Sequence, residues 1–503
     1  MNNIELDYEK VFLENSDKLN NVKKVVLVYP NQRWFKEDMH TTWNLNPSTL
    51  CILAAMIKDY VDEITIIDAQ FDDLTQEDFK KRIEEINPDL VGISVLTTEY
   101  SMIGDISLDI VKEFNPSIIT VLGGVHSTLH YEDVMKNEKV DFCIRGEGEY
   151  VFQELIKFLN SKGTLPTEGL IYRNKNKEIQ IQKATLVSDI NKMAIPDYSF
   201  VDFEKYTMKS PRDGIEAPPL LPYARIQTSR GCPIGCTFCL VESISGKKLR
   251  KRSAESIIEE LDYLVKNYNI KSVVFEDDNP FGDKVRTKRI LKAMIDKKLN
   301  LKWKATAVFL PAIDEEILDL MAQSGCIMLN IAIESGNQRV LDEVVHKPLK
   351  LSTVAPKVAL AHKYGLFVVA NFIVGLPTET WEEMRETFRF AEETKIDYVK
   401  FFIANVFSGT KLYDYAMENN AIDAQTYSEL NINWRFSRIK SDDWDAEEVS
   451  ILRAYEWDRI NFSDPKKREN TAKMMNISME ELNKIRRNTR KVLHKDLYPV
   501  MNS

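Results

Sequence analysis

Residues 224–239 read ARIQTSRGCPIGCTFC: a short strand-forming run that breaks into a glycine-punctuated loop holding Cys232, Cys236 and Cys239. The strand signal covers Arg225–Thr228, and the loop follows it directly. The other cysteines, Cys51, Cys143 and Cys326, lie singly in apolar segments and read as small buried hydrophobes. In a reducing compartment, three cysteines this close read as metal ligands rather than disulfides. Three thiolates can serve a four-iron cluster and leave one iron open to a further ligand. The alternative is a structural zinc site, which needs a fourth ligand from elsewhere. No histidine occurs between His130 and His346, which weakens it. Gly231 and Gly235 allow the chain to wrap tightly at this point.

Downstream, strands are expected at Ser272–Glu276, Lys302–Ala307, Ile327–Ala332, Phe367–Val374 and Tyr398–Ala404. Helical patterns fill the gaps at Ala254–Asn267, Asp283–Lys297, Asp314–Ser324, Gln338–Val344, Leu351–Tyr364 and Trp381–Glu393. Six strand–helix units over about 190 residues predict a partial (β/α)6 barrel, whose chemistry belongs at the carboxyl ends of its strands. The cysteine loop falls there. Past residue ~420 strand signals cease, and helices are expected at Ala446–Asn461 and Met479–His494. Upstream, strands at Lys24–Tyr29, Ile64–Asp68, Leu90–Ser94, Ile118–Leu122 and Val140–Ile144 alternate with helices. That alternation predicts a doubly wound parallel sheet with ligands outside its strand ends.

The fold class is therefore α/β, with an N-terminal Rossmann-like sheet, a partial barrel and a C-terminal helical region. The expected domains are residues 1–163, a linker at 164–220, the barrel at 221–425 and helices at 426–503. The linker carries a hairpin signal at Gly169–Ile181 and the prolines Pro211, Pro218, Pro219 and Pro222. The net charge of −10 argues against a general nucleic-acid binder. No apolar run approaches the ~18 residues of a membrane helix. The N-terminal MNNIELDYEK shows no signal-peptide pattern, so a cytoplasmic protein is expected.

Five further segments, each near an expected strand end, accompany the cysteines. They are Glu276-Asp277-Asp278, Ile333-Glu334-Ser335-Gly336, Asn371–Pro377, the aromatic Phe238 beside the last cysteine, and Phe407-Ser408-Gly409-Thr410. With them the chain resembles the radical S-adenosylmethionine (SAM) superfamily, and specifically its cobalamin-binding branch. It is also similar to the anaerobic magnesium-protoporphyrin cyclase group. The resemblance implies a 4Fe–4S cluster on Cys232, Cys236 and Cys239, with SAM chelating the open iron. It implies a SAM site formed by Phe238, Glu276, Asp277, Asp278, Glu334, Ser335, Asn371 and Gly375. The acidic triplet would take the amino group, Glu334 the ribose, and Phe238 and the Asn371–Pro377 backbone the adenine. A cationic amine wants carboxylate acceptors and a ribose diol suits a carboxylate, so the residue types fit.

In the N-terminal sheet the same resemblance implies a cobalamin site of Asn46, Asp68, Ser94, Thr97, Thr98, Gly123, Gly124, His126, Gly146 and Glu147. Short glycine turns at strand ends permit close approach by a large flat ligand. The Asp-x-His-x-x-Gly motif of many cobalamin proteins is absent: residues 30–35 read PNQRWF. His126 then falls beside the cofactor tail rather than on cobalt, and Trp34 falls either under the corrin or in the core.

The implied activity is cobalamin-dependent methyl transfer. A 5′-deoxyadenosyl radical activates an unactivated carbon of the substrate, which receives methyl from methylcobalamin; a variant methylates a phosphinate phosphorus. The implied partners are a small-molecule or peptide substrate and an electron donor such as flavodoxin or ferredoxin, with no nucleic acid. A cyclase or ring-rearranging enzyme without methyl transfer is the alternative within the branch. A non-catalytic cobalamin or cluster sensor is the alternative outside it. Tyr100, Tyr413, Trp434, Trp444, Tyr455 and Trp457 are read mainly as packing residues, in a C-terminal segment expected to close the barrel mouth.

Overall fold

The computed structural model describes residues 11, 21–34, 46–96, 104–210, 214–423, 425, 427 and 436–497, with side chains to residue 489. The chain divides into two compact units, Met1–Pro211 and Arg212–Ser503. Each is considered by itself.

The first unit runs β1 (Lys24–Tyr29), α1 (Ser48–Ile57), β2 (Glu63–Asp68), α2 (Gln76–Ile86), β3 (Leu90–Ser94), α3 (Asp105–Phe114), β4 (Ile119–Gly123), α4 (Val125–Leu129), α5 (Tyr131–Val134), β5 (Phe142–Ile144), α6 (Glu149–Leu159), β6 (Leu170–Arg173), β7 (Ile179–Ile181) and α7 (Phe203–Met208). The sheet order is β2-β1-β3-β4-β5-β6-β7, parallel through β5. Because helices cover both faces, β1 reads as an unbroken apolar run, as buried parallel strands do. Val25 and Leu27 join one core with α1 and α6, while Val26 and Val28 join another with α2 and α3. Chain direction across the sheet reverses between β1 and β3, and that switch opens a crevice outside the strand ends.

Within the stretch 164–220, the expected hairpin forms as β6 and β7, but it belongs to the first unit's sheet rather than to a linker, extending that sheet by antiparallel pairing on β5. Leu170, Ile171 and Tyr172 are buried there, so the hairpin completes the core.

The second unit contains β8 (Tyr223–Ile226), β9 (Ser229–Arg230), α8 (Val241–Ile244), β10 (Arg250–Lys251), α9 (Ala254–Tyr268), β11 (Ser272–Phe275), α10 (Lys284–Asp296), β12 (Lys302–Ala305), α11 (Glu315–Gln323), β13 (Cys326–Glu334), α12 (Val354–Lys363), β14 (Phe367–Val374), α13 (Trp381–Glu393), β15 (Tyr398–Ile403), α14 (Lys411–Glu418), α15 (Ala446–Phe462), α16 (Pro465–Met475) and α17 (Met479–Leu497). A π-helical turn, Val340–Val345, follows β13. Strands β8 and β11 to β15 form a six-stranded parallel sheet in sequential order, the expected partial barrel.

Among the described residues, the C-terminal helices pack mainly at the end of this sheet opposite the expected mouth. Phe462, Ala472, Met475 and Leu482 pack on Met328, Val369 and Tyr398, near the amino ends of β13, β14 and β15. Trp457 donates its indole N–H to the Tyr398 hydroxyl at 3.2 Å. At the carboxyl end of β14, Trp444 and, from the first turn of α15, Val449 lie by Gly375, and the Trp444 indole N–H donates to the Glu379 carbonyl at 2.7 Å. Tyr455 is exposed. Tyr100 and Trp434 lie outside the described residues. Among the described residues, no helix is long and apolar enough to cross a membrane.

Strand β15 lies at the edge of the sheet, and an unpaired edge needs covering. Asn461 of α15 supplies the cover: its side chain accepts from the Val399 N–H at 2.8 Å and donates to the Val399 carbonyl at 2.9 Å. Asn461→Ala would leave two buried backbone groups unsatisfied and is expected to cost about 2–4 kcal/mol, read from urea unfolding midpoints.

Candidate functional site

The cysteine loop leaves the sheet just past β8. The short antiparallel pair of β9 and β10 closes its neck. Gly231 has φ of 83°, and a Cβ there would collide with the Lys248 carbonyl oxygen. Inside the loop, the Cys232 N–H donates to the Gly246 carbonyl and the Cys239 N–H to the Cys236 carbonyl, each at 3.1 Å. Thr237 ties the loop to the π-helical turn. Its N–H donates to the Val345 carbonyl at 3.0 Å and its hydroxyl to the Val344 carbonyl at 2.6 Å. Its own carbonyl accepts from Leu412 N–H on α14 at 2.8 Å.

The three thiols are unpaired and half-buried. Burial pushes all three upward, Cys236 to about 12, so the metal-free loop holds thiols rather than thiolates. The Lys347 ammonium pulls Cys232 and Cys236 back down. Iron binding would supply the rest of the driving force for deprotonation. Among the described residues, no three His, Cys, Asp or Glu side chains converge as a single-ion site requires. A four-iron cluster asks for less, because each thiolate meets a different iron.

The acidic triplet at the end of β11 turns toward the loop. Glu276 forms an ion pair with Arg225 of β8. Asp277 Oδ1 accepts from the Thr228 N–H and hydroxyl, each at 2.8 Å, and from the Ser229 hydroxyl at 2.7 Å. Asp278 Oδ2 accepts from the Gly231 N–H at 2.7 Å. Arg286 donates to the Thr228 carbonyl at 2.7 Å and holds the same turn from α10. The triplet is therefore a brace for the cysteine loop, and one oxygen remains over: Asp277 Oδ2 is buried without a partner. Burial lifts the Asp277 carboxyl to about 6. An orphaned carboxylate oxygen on the triplet that braces the cysteine loop fits an incoming ammonium.

Glu334 ends β13 with φ of 78° and pairs with Lys347 at 2.8 Å. Ser335 is fully buried, its hydroxyl 3.2 Å from that of Thr387 and accepting from Asn337 N–H at 3.1 Å. Its side chain thus ties α13 to the strand end. On β14, Asn371 Oδ1 is buried and unpartnered. Gly375, with φ of 74°, turns where a Cβ would meet Val449 and Trp444 at 3.2 and 3.6 Å. Phe238 lies half-buried in the loop. Past β15, Thr410 caps α14 by accepting from the Tyr413 N–H at 3.2 Å, and the Gly409 carbonyl accepts from Ser243 at 2.7 Å. Tyr413 stacks edge-on against Tyr427.

Four side chains here escaped the sequence reading. Asn279 Nδ2 stands 3.8 Å from Cys232 Sγ as a donor to the sulfur. Arg286 and Lys347 are described above. Glu379 Oε2 accepts from the Leu376 N–H at 2.9 Å and fixes the Gly375 turn, while Oε1 is buried and unpartnered. For Arg286, Lys347 and Glu379 only the charge was visible, and a lone charge is usually a solvated one; Asn279 gave no signal at all.

In the first unit, Asp68 Oδ1 accepts from the Phe71 N–H at 2.9 Å and Oδ2 from the Tyr206 hydroxyl at 3.2 Å. Burial raises Asp68 to about 6. Asn46 is buried, and its carbonyl accepts from the Ser48 N–H at 2.8 Å ahead of α1. A Cβ on Gly123 would meet nothing within 4 Å, so the end of β4 faces open space, as a flat ligand requires. A Cβ on Gly124 would lie 2.6 Å from the Val95 carbonyl and 3.2 Å from Ser94 Oγ, so this glycine allows β3 and α4 to meet. His126 is buried beside His130, ring centroids 4.8 Å apart, and burial lowers it to about 3, leaving a neutral imidazole.

One expectation changes and one open alternative closes. Gly146 and Glu147 serve the segment after β7: a Cβ on Gly146 would collide with the Thr185 carbonyl, and Glu147 Oε2 accepts from the Val187 N–H at 2.6 Å. Trp34 belongs to the core, since its indole N–H donates to the Leu74 carbonyl at 2.6 Å and its ring lies 5.2 Å from Phe79. Thr97 and Thr98 lie outside the described residues.

Residues 226–391 match the Radical SAM superfamily, and residues 44–156 match the B12 binding domain. The uncharacterised methyltransferase PH0819 of Pyrococcus horikoshii is 33% identical over 420 residues, which is 82% of this chain and 86% of that protein. The cytidylyl-2-hydroxyethylphosphonate methyltransferase of Streptomyces wedmorensis is 27% identical over 86% of this chain and 89% of its own length. An anaerobic magnesium-protoporphyrin IX monomethyl ester cyclase of Rubrivivax gelatinosus is 26% identical over 74% of this chain and 66% of the cyclase. Among solved structures, the cobalamin-dependent SAM radical enzyme OxsB matches with a TM-score of 0.71 at 16% identity, over 96% of this chain and 73% of OxsB. The methyltransferase TsrM from Kitasatospora setae, with cobalamin and a 4Fe–4S cluster bound, matches at 0.61 and 19% identity, over 79% and 75%. The chain belongs to the cobalamin-binding branch of the radical SAM superfamily. It is a radical SAM enzyme, and the cofactors of its class are a 4Fe–4S cluster, SAM and cobalamin.

Two outcomes follow from the geometry. Gly231→Ala strains a left-handed turn and forces Lys248 away, so the variant is expected to fold but to take up most of its iron and sulfide no longer on anaerobic reconstitution. Burial lifts Glu379 to about 8 against the N–H groups of Leu376 and Gly375. A carboxyl raised in the folded state costs stability as pH climbs from the ordinary carboxylate range to its folded value. Wild-type urea midpoints are expected to fall between about pH 5 and about pH 8 more than those of Glu379→Gln, which keeps the neutral shape.

Proposed function

We propose that this chain is a cobalamin-dependent radical SAM methyltransferase acting on an unactivated carbon, or a phosphinate phosphorus, of a small molecule. The observation that carries the reading is the braced three-cysteine loop with an unpartnered carboxylate oxygen, in a chain similar over 82% and 86% of its length to two named methyltransferases. When bound, the cluster and SAM supply the radical, and cobalamin supplies the methyl group.

Cys232, Cys236 and Cys239 would hold three irons and leave the fourth for SAM. Asp277 Oδ2 would accept from the SAM ammonium, with Asp278 adding negative field. Glu334 would accept from the ribose, and Asn371 Oδ1 and Phe238 would meet the adenine. In the first unit, Ser94, Gly123, Gly124 and His126 border the β3–β4 ends where cobalamin would sit. Neutral His126 carries no charge into that site. The electron would come from a one-electron donor of the flavodoxin or ferredoxin class. A reducing compartment such as the cytoplasm suits thiols that must stay free for iron.

A second reading, cyclisation without methyl transfer, is favoured by the similarity to the Rubrivivax cyclase. Turnover with SAM labelled at its methyl carbon separates the two. Label in the product, with loss of product in Cys236→Ala, is expected; product without label supports the cyclase-type reaction instead.

A further inference from the structure

A buried ion pair stands against the cysteine loop. Lys347 Nζ and Glu334 Oε1 lie 2.8 Å apart, with side-chain exposures of 5% and 9%. The chain positions Lys347 through the same turn that grips the loop: the Val344 and Val345 carbonyls accept from Thr237, His346 turns with φ of 53°, and the Lys347 N–H donates to the Leu341 carbonyl at 2.9 Å. The carboxylates that act on the thiols are Asp278 and Glu334, and the Lys347 ammonium opposes them.

We propose that Lys347 tunes the cluster electrostatically, its ammonium favouring the reduced state and the paired Glu334 limiting that effect. The inference rests on the reading that Cys232, Cys236 and Cys239 carry the cluster. A four-iron core of double positive charge with three thiolates carries one net negative charge, and one electron from an external one-electron donor makes it two. A nearby cation stabilises the second state more than the first, and burial leaves the field little screened. Lys347 is thus a positioning residue for the electron-transfer step; it reaches the reaction through the cluster.

The test is a dithionite titration of the reconstituted protein in the absence of SAM, followed by electron paramagnetic resonance, with iron and sulfide measured on each sample. Lys347→Gln is expected to reduce the ratio of reduced to oxidised cluster at fixed potential at least tenfold, about 59 mV for one electron. Glu334→Gln is expected to raise it by a similar factor, and Lys347→Arg to leave it near wild type. Removing one partner of a buried pair can prevent folding or loading. If Lys347→Gln fails to load, the upward shift in Glu334→Gln carries the test. Equal potentials, shifts of one sign, or failure of both neutralising variants to load overturn the inference and leave a structural pair. A wild-type protein that takes up no cluster overturns the underlying reading itself.

Discussion

Three consecutive carboxylates at the end of one strand hold the loop that follows its neighbour. Glu276, Asp277 and Asp278 reach from β11 to Arg225, to Thr228 and Ser229, and to Gly231. Everything else at the site depends on that brace. A loop presenting three thiols has no apolar core of its own and, before iron arrives, no bond among its ligands. Its shape is set by charge-assisted hydrogen bonds, which are stronger than neutral ones and hold backbone as well as side chains. The opposite side of the loop is held through Thr237 by the π-helical turn, which also delivers Lys347. The same contacts that fix the loop thus fix the local charge.

The brace also explains a division of labour within residues of one motif. Asp277 Oδ1 is saturated by three donors, whereas Oδ2 is buried and unmet. A buried acceptor without a partner carries a desolvation cost that a ligand can relieve. Asn371 Oδ1 carries a similar cost one strand beyond β13. In the first unit the corresponding sign is space, since a Cβ on Gly123 would face nothing while Gly124 permits a tight junction with β3.

Much of this was legible in the sequence, for identifiable reasons. Parallel strands buried on both faces spell themselves out as runs such as KVVLVY and FVVANFIV, and both units fall on their expected strands. The cysteine spacing and its place after β8 were equally plain. Other features were not. Strand β7 alternates exposed residues over three positions, too short for periodicity to assign it to a sheet. Helix α16 buries only Thr471, Ala472 and Met475, so it leaves no apolar stripe to read. An acidic triplet at a strand end signals a site, but not that all three of its members bond to the protein. Glu334 and Lys347 are separated by thirteen positions and a π-helical turn, a spacing that fits no helical or strand period. Gly146 and Glu147 look like a ligand turn, and only the fold shows that residues 185–187 fill it.

The most direct measurement is the absorption spectrum of the anaerobically reconstituted protein supplied with iron, sulfide and cobalamin. The expected spectrum carries both iron–sulfur and cobalamin bands. In the triple variant Cys232→Ala, Cys236→Ala, Cys239→Ala, the iron–sulfur bands should vanish while the cobalamin bands persist. A wild-type protein that takes up neither cofactor, or a triple variant that keeps its iron–sulfur bands, would contradict the assignment.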